Sequence, residues 1–436
     1  MDYKGIEYLR AKLSQKRIKV LECYKYYDMD DKMDAYQTNT LPEKLRSIKK
    51  KVGWIPKAVD TLTNRLQFNG FGEDDIMNLE QIFRMNNRDV LFDQMFKGAI
   101  ISSCDFVYIS KNDDGSVRLQ VIDGSTATGI LDRSTMMLTE GYAVIERDED
   151  LGNPTLEAYF TPEGTMFYNK GQHDPSKDTV NIAPYPLLVP VIYNPDATRP
   201  FGRSLISKSL MKYVDDAKEE LRLMSVSSMF YSFPQKYVVG LDDEVEQFDK
   251  WGATMSSMLA FTKDSDGGSP SVGQFTQQSM SPYNDALKTL ASMFAGETGL
   301  TLDDLGFTTS NPSSAEGIKA AHESLRLMAK NAQDTFSVGI INTGYLAKCV
   351  EDNKAYKRSE FANIKVRWKP AFDVDATMLS GIGDGVMKIN QSVSDYFDKS
   401  TLEDLTGINA SSDGNPAYEK PMDIDIEEDN GEEDEQ

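Results

Sequence analysis

The chain has 436 residues, of which 40% are hydrophobic and 27% charged, and its formal net charge is −22. This length allows a sizeable core and usually divides into two to four structural units. The acidic balance excludes a protein that grips a nucleic-acid backbone through clustered Lys and Arg side chains.

Two further classes of protein are disfavoured by the sequence. No apolar run approaches the roughly 20 residues that span a bilayer, and the charged residues after Met1 indicate no secretory signal. The three cysteines are scattered and lack the spacing of a zinc site or a disulfide framework. We therefore expect a protein made in a reducing cytoplasm, with no membrane partner.

The N-terminal part of the chain predicts helices followed by antiparallel strands. Residues 4–26 predict an amphipathic helix with Lys and Arg on its second face, and residues 54–103 predict two or three further helices. The apolar face of the first helix comprises Ile6, Leu9, Leu13, Ile18 and Leu21. From Cys104 to Asn169, short alternating runs are separated by Asp-Gly, Asn-Pro and Pro-Glu-Gly turns, which is typical of antiparallel strands. This order predicts an α+β domain whose sheet is covered on one face.

Two amphipathic helices flank an irregular insert in the middle of the chain. The first, about Ser204–Met229, has one apolar and one charged face, and the second, Pro282–Ala295, has aromatic and Leu side chains on one face. The insert between them has about 45 residues, far more than the 2–5 that close an ordinary pair of helices. We therefore expect the insert to form a unit of its own.

A loop and a long helix follow. The loop Leu300–Asn311 contains exposed-looking Leu and Phe residues and paired Asp residues, which suit contact with a large partner better than with a small substrate. Pro312 and the capping box Ser313–Glu316 predict the start of the helix. Gly339 and Gly344 predict a bend or break within it.

The C-terminal part predicts a strand, helices and an acidic tail. Ile364–Trp368 alternate as a strand that is placed to return to the first sheet, and residues 375–407 predict helices that end near Gly407. Nothing periodic follows Ser411, and nine of the fourteen residues Asp423–Gln436 are acidic. Such a tail is typical of a solvated, disordered extension.

No motif for catalysis, cofactor binding or metal binding is present in the sequence. His173 and His322 are far apart and lack metal-ligand spacing, and the phosphate-loop, dinucleotide-loop and nucleophile-elbow motifs are missing. The adjacent acidic pairs are Asp113–Asp114, Asp242–Asp243 and Asp303–Asp304. Neighbouring side chains point apart on a helix or a strand, so these pairs make poor two-metal nuclease sites. We expect no catalytic residue, no cofactor and no metal.

Three segments, taken in order, resemble the portal (connector) proteins of tailed double-stranded DNA bacteriophages. They are PVIYNPDATRPFGRSLISKSLMKYVDDAKEELRLMSVSSMFYSFPQKYVVG at 190–240, GLTLDDLGFTTSNPSSAEGIKAAHESL at 299–325, and IKVRWKPAFDVDATMLS at 364–380. The first is similar to that family's entry into the stem helix, and the second to its tunnel loop and following long helix. The resemblance covers most of residues 50–410.

The resemblance implies the α+β portal fold, with a wing of helices and antiparallel sheet, a helical stem, a small clip and a helical crown. It implies a wing at 1–202, stem helices at 203–232 and 281–298 around a clip at 233–280, a tunnel loop at 299–312, a long kinked helix with the return strand of the wing at 313–370, a crown at 371–411 and an acidic tail at 412–436. In that family, the subunits form a ring, usually of twelve, at one vertex of the phage head.

The same resemblance implies candidate residues in three places. The tunnel-loop candidates are Leu302, Asp303, Asp304, Leu305 and Phe307, where the acids would repel phosphate and the apolar residues would offer a nonpolar contact surface. The tunnel-facing stem candidates are Lys208, Lys212, Lys218 and Arg222, although an ordinary solvated helix face explains each of them equally well. The clip candidates for packing or docking are Tyr237, Val239, Trp251 and Phe261.

The implied partners are further copies of the chain, double-stranded DNA in the channel, terminase, a head–tail adaptor, and the major capsid and scaffolding proteins. The implied location is the portal vertex of the virion, after assembly in the host cytoplasm. Two alternatives remain open at this point: a metal-dependent DNA-processing enzyme, and a scaffold or adaptor of the virion that forms no channel.

Overall fold

The computed structural model describes residues 3–30, 49–74, 76–112, 114–148, 152–232, 236–239, 271–274, 279–307, 315–371, 376–394 and 396–408. The chain divides into two compact units, Met1–Asp373 and Val374–Gln436. Among the described residues, the first unit contains helices and antiparallel sheets, and the second contains helices. The predicted α+β class is therefore confirmed.

The α-helices of the described residues are α1 (Ile6–Tyr27), α2 (Trp54–Thr63), α3 (Leu79–Met85), α4 (Arg88–Ser102), α5 (Lys208–Ser232), α6 (Ser281–Thr298), α7 (Ala315–Ala321), α8 (Glu323–Glu351), α9 (Ala376–Ser392) and α10 (Lys399–Thr406). The strands are β1 (Phe68–Gly72), β2 (Cys104–Lys111), β3 (Val117–Ile122), β4 (Ala127–Asp132), β5 (Met137–Arg147), β6 (Pro154–Phe160), β7 (Gly164–Asn169), β8 (Gln172–His173), β9 (Thr179–Val180), β10 (Leu188–Ile192), β11 (Lys236–Val239), β12 (Ser271–Gln274) and β13 (Lys365–Trp368).

Two antiparallel sheets stack in the first unit, where the sequence predicted one sheet covered on one face. One sheet has the order β10-β2-β3, and the other has the order β4-β5-β6-β7-β8 with β9 paired to β7. Successive side chains of β2 point to opposite faces of the smaller sheet. Val107 packs into the large core that this sheet forms with the helices (the large helical core), whereas Phe106 packs into the core between the two sheets. Helices cover the outer face of the smaller sheet, and α1 covers the outer face of the larger one.

Helix α1 packs on the larger sheet with a face that differs from the predicted one. Leu9 and Leu13 are buried against that sheet as expected, but Ile18 is 73% exposed and Leu21 is 39% exposed. Instead, Lys16 turns inward, and its ammonium donates to the carbonyl oxygens of Cys104 and Ala127 at 3.3 Å each. The long aliphatic stem of a lysine can cover apolar surface, which lets a basic residue take a position on the buried side.

The return strand β13 was predicted to join the first sheet, and this prediction is wrong. It pairs antiparallel with β1, with Trp368 opposite Phe68, and these two strands form a separate sheet. Strand β1, which contains Gly70 and Gly72, lies within residues 54–103, for which the sequence predicted helices alone. A glycine inside a strand can instead mark a bulge, and the register shifts within β1.

The long helix was predicted to bend near Gly339 and Gly344, but α8 runs through both positions. A Cβ atom on Gly339 would lie 3.2 Å from Val191 Cγ2, and one on Gly344 would lie 2.7 Å from Leu79 Cδ1. The two glycines therefore let neighbouring elements approach the helix closely. The break lies at His322, between α7 and α8, where the backbone leaves the helical conformation (φ −95°, ψ 7°).

Helices α5 and α6 pack against each other and carry the insert between them. Helix α5 begins at Lys208 rather than at the expected 203, because Ser207 Oγ accepts the N–H of Leu210 (3.1 Å) as an N-cap. Within the insert, β11 and β12 pair antiparallel, with Tyr237 opposite Gly273 and Val239 opposite Ser271. Trp251 and Phe261 lie outside the described residues, as does the start of the long helix at Pro312–Ser313.

The second unit contains α9 and α10, where the sequence predicted helices over 375–407. The Asn390 side chain separates them, since its amide accepts the N–H of Phe397 (2.9 Å) and donates to the Phe397 carbonyl (3.1 Å). Asp398 then caps α10 by accepting the N–H of Thr401 (2.8 Å), and Gly407 ends it in the left-handed conformation (φ 69°).

Candidate functional site

The first part of the predicted tunnel loop is a compact, hydrogen-bonded turn. Asp304 Oδ2 accepts the N–H and the hydroxyl of Thr301 at 2.9 and 2.8 Å, and the N–H of Asp304 donates back to Thr301 Oγ1 at 3.2 Å. The N–H groups of Leu305 and Phe307 both donate to the carbonyl of Leu302. Asp304 therefore shapes the turn, whereas the neighbouring Asp303 is exposed to solvent.

The three apolar candidates of this turn lie against the protein's own core. Leu302, Leu305 and Phe307 are half-buried and pack on the large helical core, and the Phe307 ring lies edge-on to Trp54 with ring centroids 6.4 Å apart. The protomer itself therefore covers part of their apolar area, and the suggestion that they offer a nonpolar contact surface to a partner stays a prediction. The nonpolar residues anchor the turn and leave Asp303 as its exposed side chain.

The turn is also held against the start of α8. Gly299 ends α6 with a positive φ of 71°, and a Cβ atom there would lie 2.9 Å from the backbone nitrogen of Leu325. A side chain at 299 would therefore clash as well as strain the backbone. Nearby, His322 Nδ1 lies 3.8 Å from Asp304 Oδ2, too far for a hydrogen bond but close enough for attraction when the imidazole is charged. The helix break at His322 and the turn are thus neighbours.

The four stem candidates divide into two exposed and two buried side chains. Lys208 and Lys212 are exposed, and Lys212 pairs with Asp216 at 2.7 Å. Lys218 and Arg222 are only 2% and 1% exposed. This burial contradicts the prediction that they face a channel, because neither cationic group is accessible to a phosphate outside the protomer.

Lys218 and Arg222 are held by groups of the protein itself. The Lys218 ammonium lies 3.5 Å from Asp215 Oδ1 and 5.2 Å from the centre of the Tyr26 ring, and the Tyr26 hydroxyl donates to Asp215 Oδ2 at 2.7 Å. Burial lowers the pKa of Lys218 to about 8. Arg222 donates through two nitrogens to the carboxylate of Glu219. The end of α1 is thereby joined to the stem helix α5.

Several buried acids of the first unit were not singled out from the sequence. Asp105 accepts the Ser102 hydroxyl at 2.7 Å and the N–H of Gly124 at 2.8 Å, and burial together with the nearby Asp123 raises its pKa to about 8. Glu140 accepts the N–H of Gly5 at 2.9 Å and so fixes the start of α1. An acid inside the apolar run of β2 was the one available signal, since a buried carboxyl needs internal partners.

Metal binding and membrane insertion each require a particular set of residues. His173 Nε2 lies 2.8 Å from Asp178 Oδ2 at an exposed site, and Cys23, Cys104 and Cys349 are buried. Within the ranges that the structure covers, no three His, Cys, Asp or Glu side chains are grouped to hold a metal ion. In the same ranges, no helix has the length and apolar character needed to cross a bilayer.

These elements define a class of protein: an α+β body of two stacked sheets, joined to two long paired helices and to a hydrogen-bonded acidic turn (residues 301–307) between helices. The family model described as phage portal protein, SPP1 Gp6-like, matches residues 6–382. The chain therefore belongs to the phage portal protein family, and the resemblance found in the sequence is confirmed.

Individual relatives agree with the family. The chain is 27% identical over 326 residues to the portal protein of Mycobacterium phage L5, covering 69% of this chain and 65% of that protein. It is 26% identical over 334 residues to the portal protein of Mycobacterium phage D29, covering 70% and 67%. The chain thus spans about two thirds of the length of these relatives. The alternatives of a DNA-processing enzyme and a channel-free scaffold find no support in these matches.

Solved structures with a similar chain come from gene transfer agent particles. One is titled "Virion of native gene transfer agent (GTA) particle", with a TM-score of 0.43 and 10% identity over 82% of this chain and 90% of that chain. Another is titled "Neck of native GTA particle computed with C12 symmetry", with a TM-score of 0.43, 11% identity and the same coverage.

Proposed function

We propose that this chain forms a ring-shaped channel at one vertex of a phage capsid, through which double-stranded DNA enters during packaging and leaves during ejection. The observation that carries the proposal is the family match over residues 6–382, which includes the sheets, both stem helices and the acidic turn. A ring needs a heterologous interface, in which one face of a subunit meets a different face of the next. We expect about twelve subunits, the usual number that the family resemblance implies.

The acidic turn is suited to let DNA pass. A DNA duplex carries one negative charge per roughly 1.7 Å of its axis, and clustered cations would hold it tightly. The turn instead exposes Asp303 and keeps Asp304 engaged with Thr301. In the proposed channel, the Asp303 carboxylates repel the phosphates, and the hydrogen-bonded turn keeps them in place.

Transient attraction comes from the exposed stem cations. Lys208 and Lys212 are the two exposed members of the predicted set, and Lys212 is partly neutralised by Asp216 at 2.7 Å. An exposed ion pair of this kind contributes little, so such a lysine can exchange between Asp216 and a passing phosphate at small cost. Lys218 and Arg222 instead stabilise α5 from inside the protomer.

The division into wing (1–202), stem, clip (233–280), tunnel loop (299–312) and crown (371–411) belongs to this proposal, and so do the partners. We propose that the clip, with Tyr237, Val239, Trp251 and Phe261 as candidates, packs within the ring and offers the docking surface for terminase and the head–tail adaptor. The terminase, rather than this chain, would supply ATP-driven packaging. The major capsid and scaffolding proteins would surround the ring during assembly in the host cytoplasm.

Imaging of the purified full-length chain tests the proposal. In negative-stain electron microscopy, end-on averages are expected to show rings with a central hole and about twelve-fold symmetry, as the closed heterologous interface requires. Compact closed dimers without a channel would overturn the proposed function. The measurement also separates a channel from an adaptor that assembles without one.

A further inference from the structure

Two arginines with buried, unsatisfied nitrogen atoms lie between α1 and the outer face of the larger sheet. Arg17 belongs to α1, and Arg147 is the last residue of β5. Both side chains are half-buried. The Nε atom of each is buried and has no hydrogen-bond acceptor among the described residues. Buried polar groups normally have a partner, so two such donors on one surface indicate a place where a ligand can accept hydrogen bonds.

The packing of α1 on the sheet brings these two side chains near each other. Leu13 of α1 and Val144 of β5 belong to the same apolar core. Arg17 follows Leu13 by about one helical turn and so lies on the same side of α1, and Arg147 follows Val144 at the end of the strand. Burial and the positive charge of Arg17 both lower the pKa of Arg147, which agrees with this proximity.

The protein's own described carboxylates leave this pair of charges uncompensated. Glu157 is close to Arg147 but is engaged by Arg10, whose Nη2 atom lies 2.8 Å from its Oε2 atom. None of the residues three or four positions from Arg17 on α1 is acidic. Arg147 donates through Nη1 to the carbonyl of Gly152 at 2.9 Å, which is a neutral acceptor. Charged groups that are partly removed from water in this way are costly unless an anion joins them.

We propose that Arg17 and Arg147 form a binding site for a phosphate-type dianion on the outer face of the larger sheet. A guanidinium donates from a planar fork that matches the oxygen atoms of phosphate, and two positive charges match a dianion. Both side chains are partly exposed, so the anion reaches them from solvent. A DNA phosphodiester carries only one charge per phosphate and matches the pair less well. The site does not depend on the proposed channel.

Calorimetric titration of the full-length chain with inorganic phosphate tests the site. At about pH 8, where phosphate is mainly a dianion, and at constant ionic strength in chloride, we expect saturable binding. Acetate, a carboxylate with a single charge, is expected to bind at least tenfold more weakly. Absence of phosphate binding up to about 10 mM overturns the proposal, and so does acetate binding of equal strength.

A phosphate monoester, glycerol phosphate, distinguishes two sources of the same ligand chemistry. An affinity equal to that of inorganic phosphate supports a site for a phosphate group carried by a larger molecule. An affinity at least tenfold lower supports a site for the free anion.

Paired substitutions locate the binding. Arg17→Gln/Arg147→Gln removes both guanidinium groups and should weaken phosphate binding at least tenfold. Arg84→Gln/Arg326→Gln is the matched control, since it removes two exposed arginines that are paired with acids elsewhere, and it should leave binding unchanged. Equal phosphate affinity of the two double variants overturns the proposal. Unaltered circular dichroism shows that both remain folded.

A further variant tests whether acids next to Arg147 in the sequence occupy the pair themselves. Glu149 and Asp150 lie outside the described residues. Phosphate binding that is retained in Glu149→Gln/Asp150→Asn, as in the native chain, supports the proposal. Phosphate binding that appears only in this variant overturns it, because the native chain would then supply its own anion.

Chemical protection of the native chain gives a readout that needs no substitution. Phenylglyoxal modifies accessible guanidinium groups, and peptide mapping by mass spectrometry follows each arginine separately. Phosphate should slow the modification of Arg17 and Arg147 at least threefold and leave that of Arg326 unchanged. Equal rates at Arg17 and Arg147 with and without phosphate overturn the proposal, even where the double variant fails to fold.

Discussion

Asp105 is a carboxyl group buried at the junction of α4, β2 and the turn before β4. Ser102 and Gly124 donate hydrogen bonds to its Oδ1 atom, and its Oδ2 atom lies so close to Gly98 that a Cβ there would be 1.8 Å away. Burial removes water from the charged form and raises the pKa to about 8. The folded protein therefore keeps this proton at pH values where the unfolded chain has released it.

The raised pKa of Asp105 predicts a loss of stability as the pH rises. The unfolded carboxyl ionises near pH 4 and the folded one near pH 8, so the free energy of unfolding falls across this window. Asp105→Asn keeps an acceptor for Ser102 and Gly124 but cannot ionise. Thermal unfolding at pH 5, 7 and 9 should show the variant gaining stability relative to the native protein at each step.

A suitable control for this measurement is Asp114→Asn. Asp114 lies in an exposed turn, where hydrogen bonds from Ser116 lower its pKa. Its contribution is complete above its unfolded pKa and is lost only at lower pH, so the control should show no trend between pH 5 and 9. A flat difference between Asp105→Asn and the native protein would mean that Asp105 is solvated or stays ionised.

At the scale of elements, the acidic turn assigns different roles to two adjacent acids. Asp304→Ala removes the acceptor for Thr301 and should destabilise the turn by about 1 kcal/mol, the usual cost of losing a cap. Faster hydrogen exchange at 300–307 is the expected result. Asp303→Ala removes an exposed carboxylate and keeps the hydrogen bonds between Thr301 and Asp304, so we expect ring formation to be retained while DNA packaging or retention is altered.

The two variants at 303 and 304 are each other's control, because they remove the same charge one residue apart. Equal loosening of the turn in both would contradict the roles assigned here. An unaltered turn in both would show that the packing of Leu302, Leu305 and Phe307 on the core suffices to hold it.

The helices and strands were predictable where a short stretch of sequence is enough to specify them. The Asp-Gly and Pro-Glu-Gly turns located the antiparallel strands, and helical periodicity located the two stem helices. Gly339 and Gly344 led to a wrong prediction of a break in α8. The sequence alone does not distinguish a glycine that permits close packing from one that interrupts a helix. The break at His322 had no local signal.

The candidate site was less predictable than the fold, because it depends on contacts between distant residues. Helical spacing put Lys218 on the charged face of α5, but Tyr26 of α1 covers it from far away in sequence. Likewise, the sequence suggested that Leu302 and Phe307 are exposed, but in the structure both pack on the large helical core and Phe307 contacts Trp54. A single sequence records which side chains are apolar, but it does not record which distant surface covers them.

At the scale of the whole molecule, the net charge of −22 governs assembly. Subunits of like charge repel one another, and salt screens this repulsion over about 10 Å at 0.1 M. We therefore expect ring formation to strengthen as salt rises from about 0.02 to about 0.2 M, over which the screening length shortens several-fold. Sedimentation velocity at these concentrations measures the fraction of rings.

The opposite trend is informative. Rings that dissociate over this range of salt would mean that attraction between oppositely charged patches dominates the interface, despite the overall acidity of the chain. Sucrose at matched density is a control, because it changes the solvent without adding ions.

The side chain of Lys16 connects the two stacked sheets of the first unit. Its ammonium donates to Cys104 at the start of β2 and to Ala127 at the start of β4, and these strands belong to different sheets. One side chain of α1 therefore forms hydrogen bonds with both of the stacked sheets. Sliding of one sheet over the other would break these hydrogen bonds as well as disturb the apolar core between the sheets, so we expect the N-terminal helix to help resist such a movement.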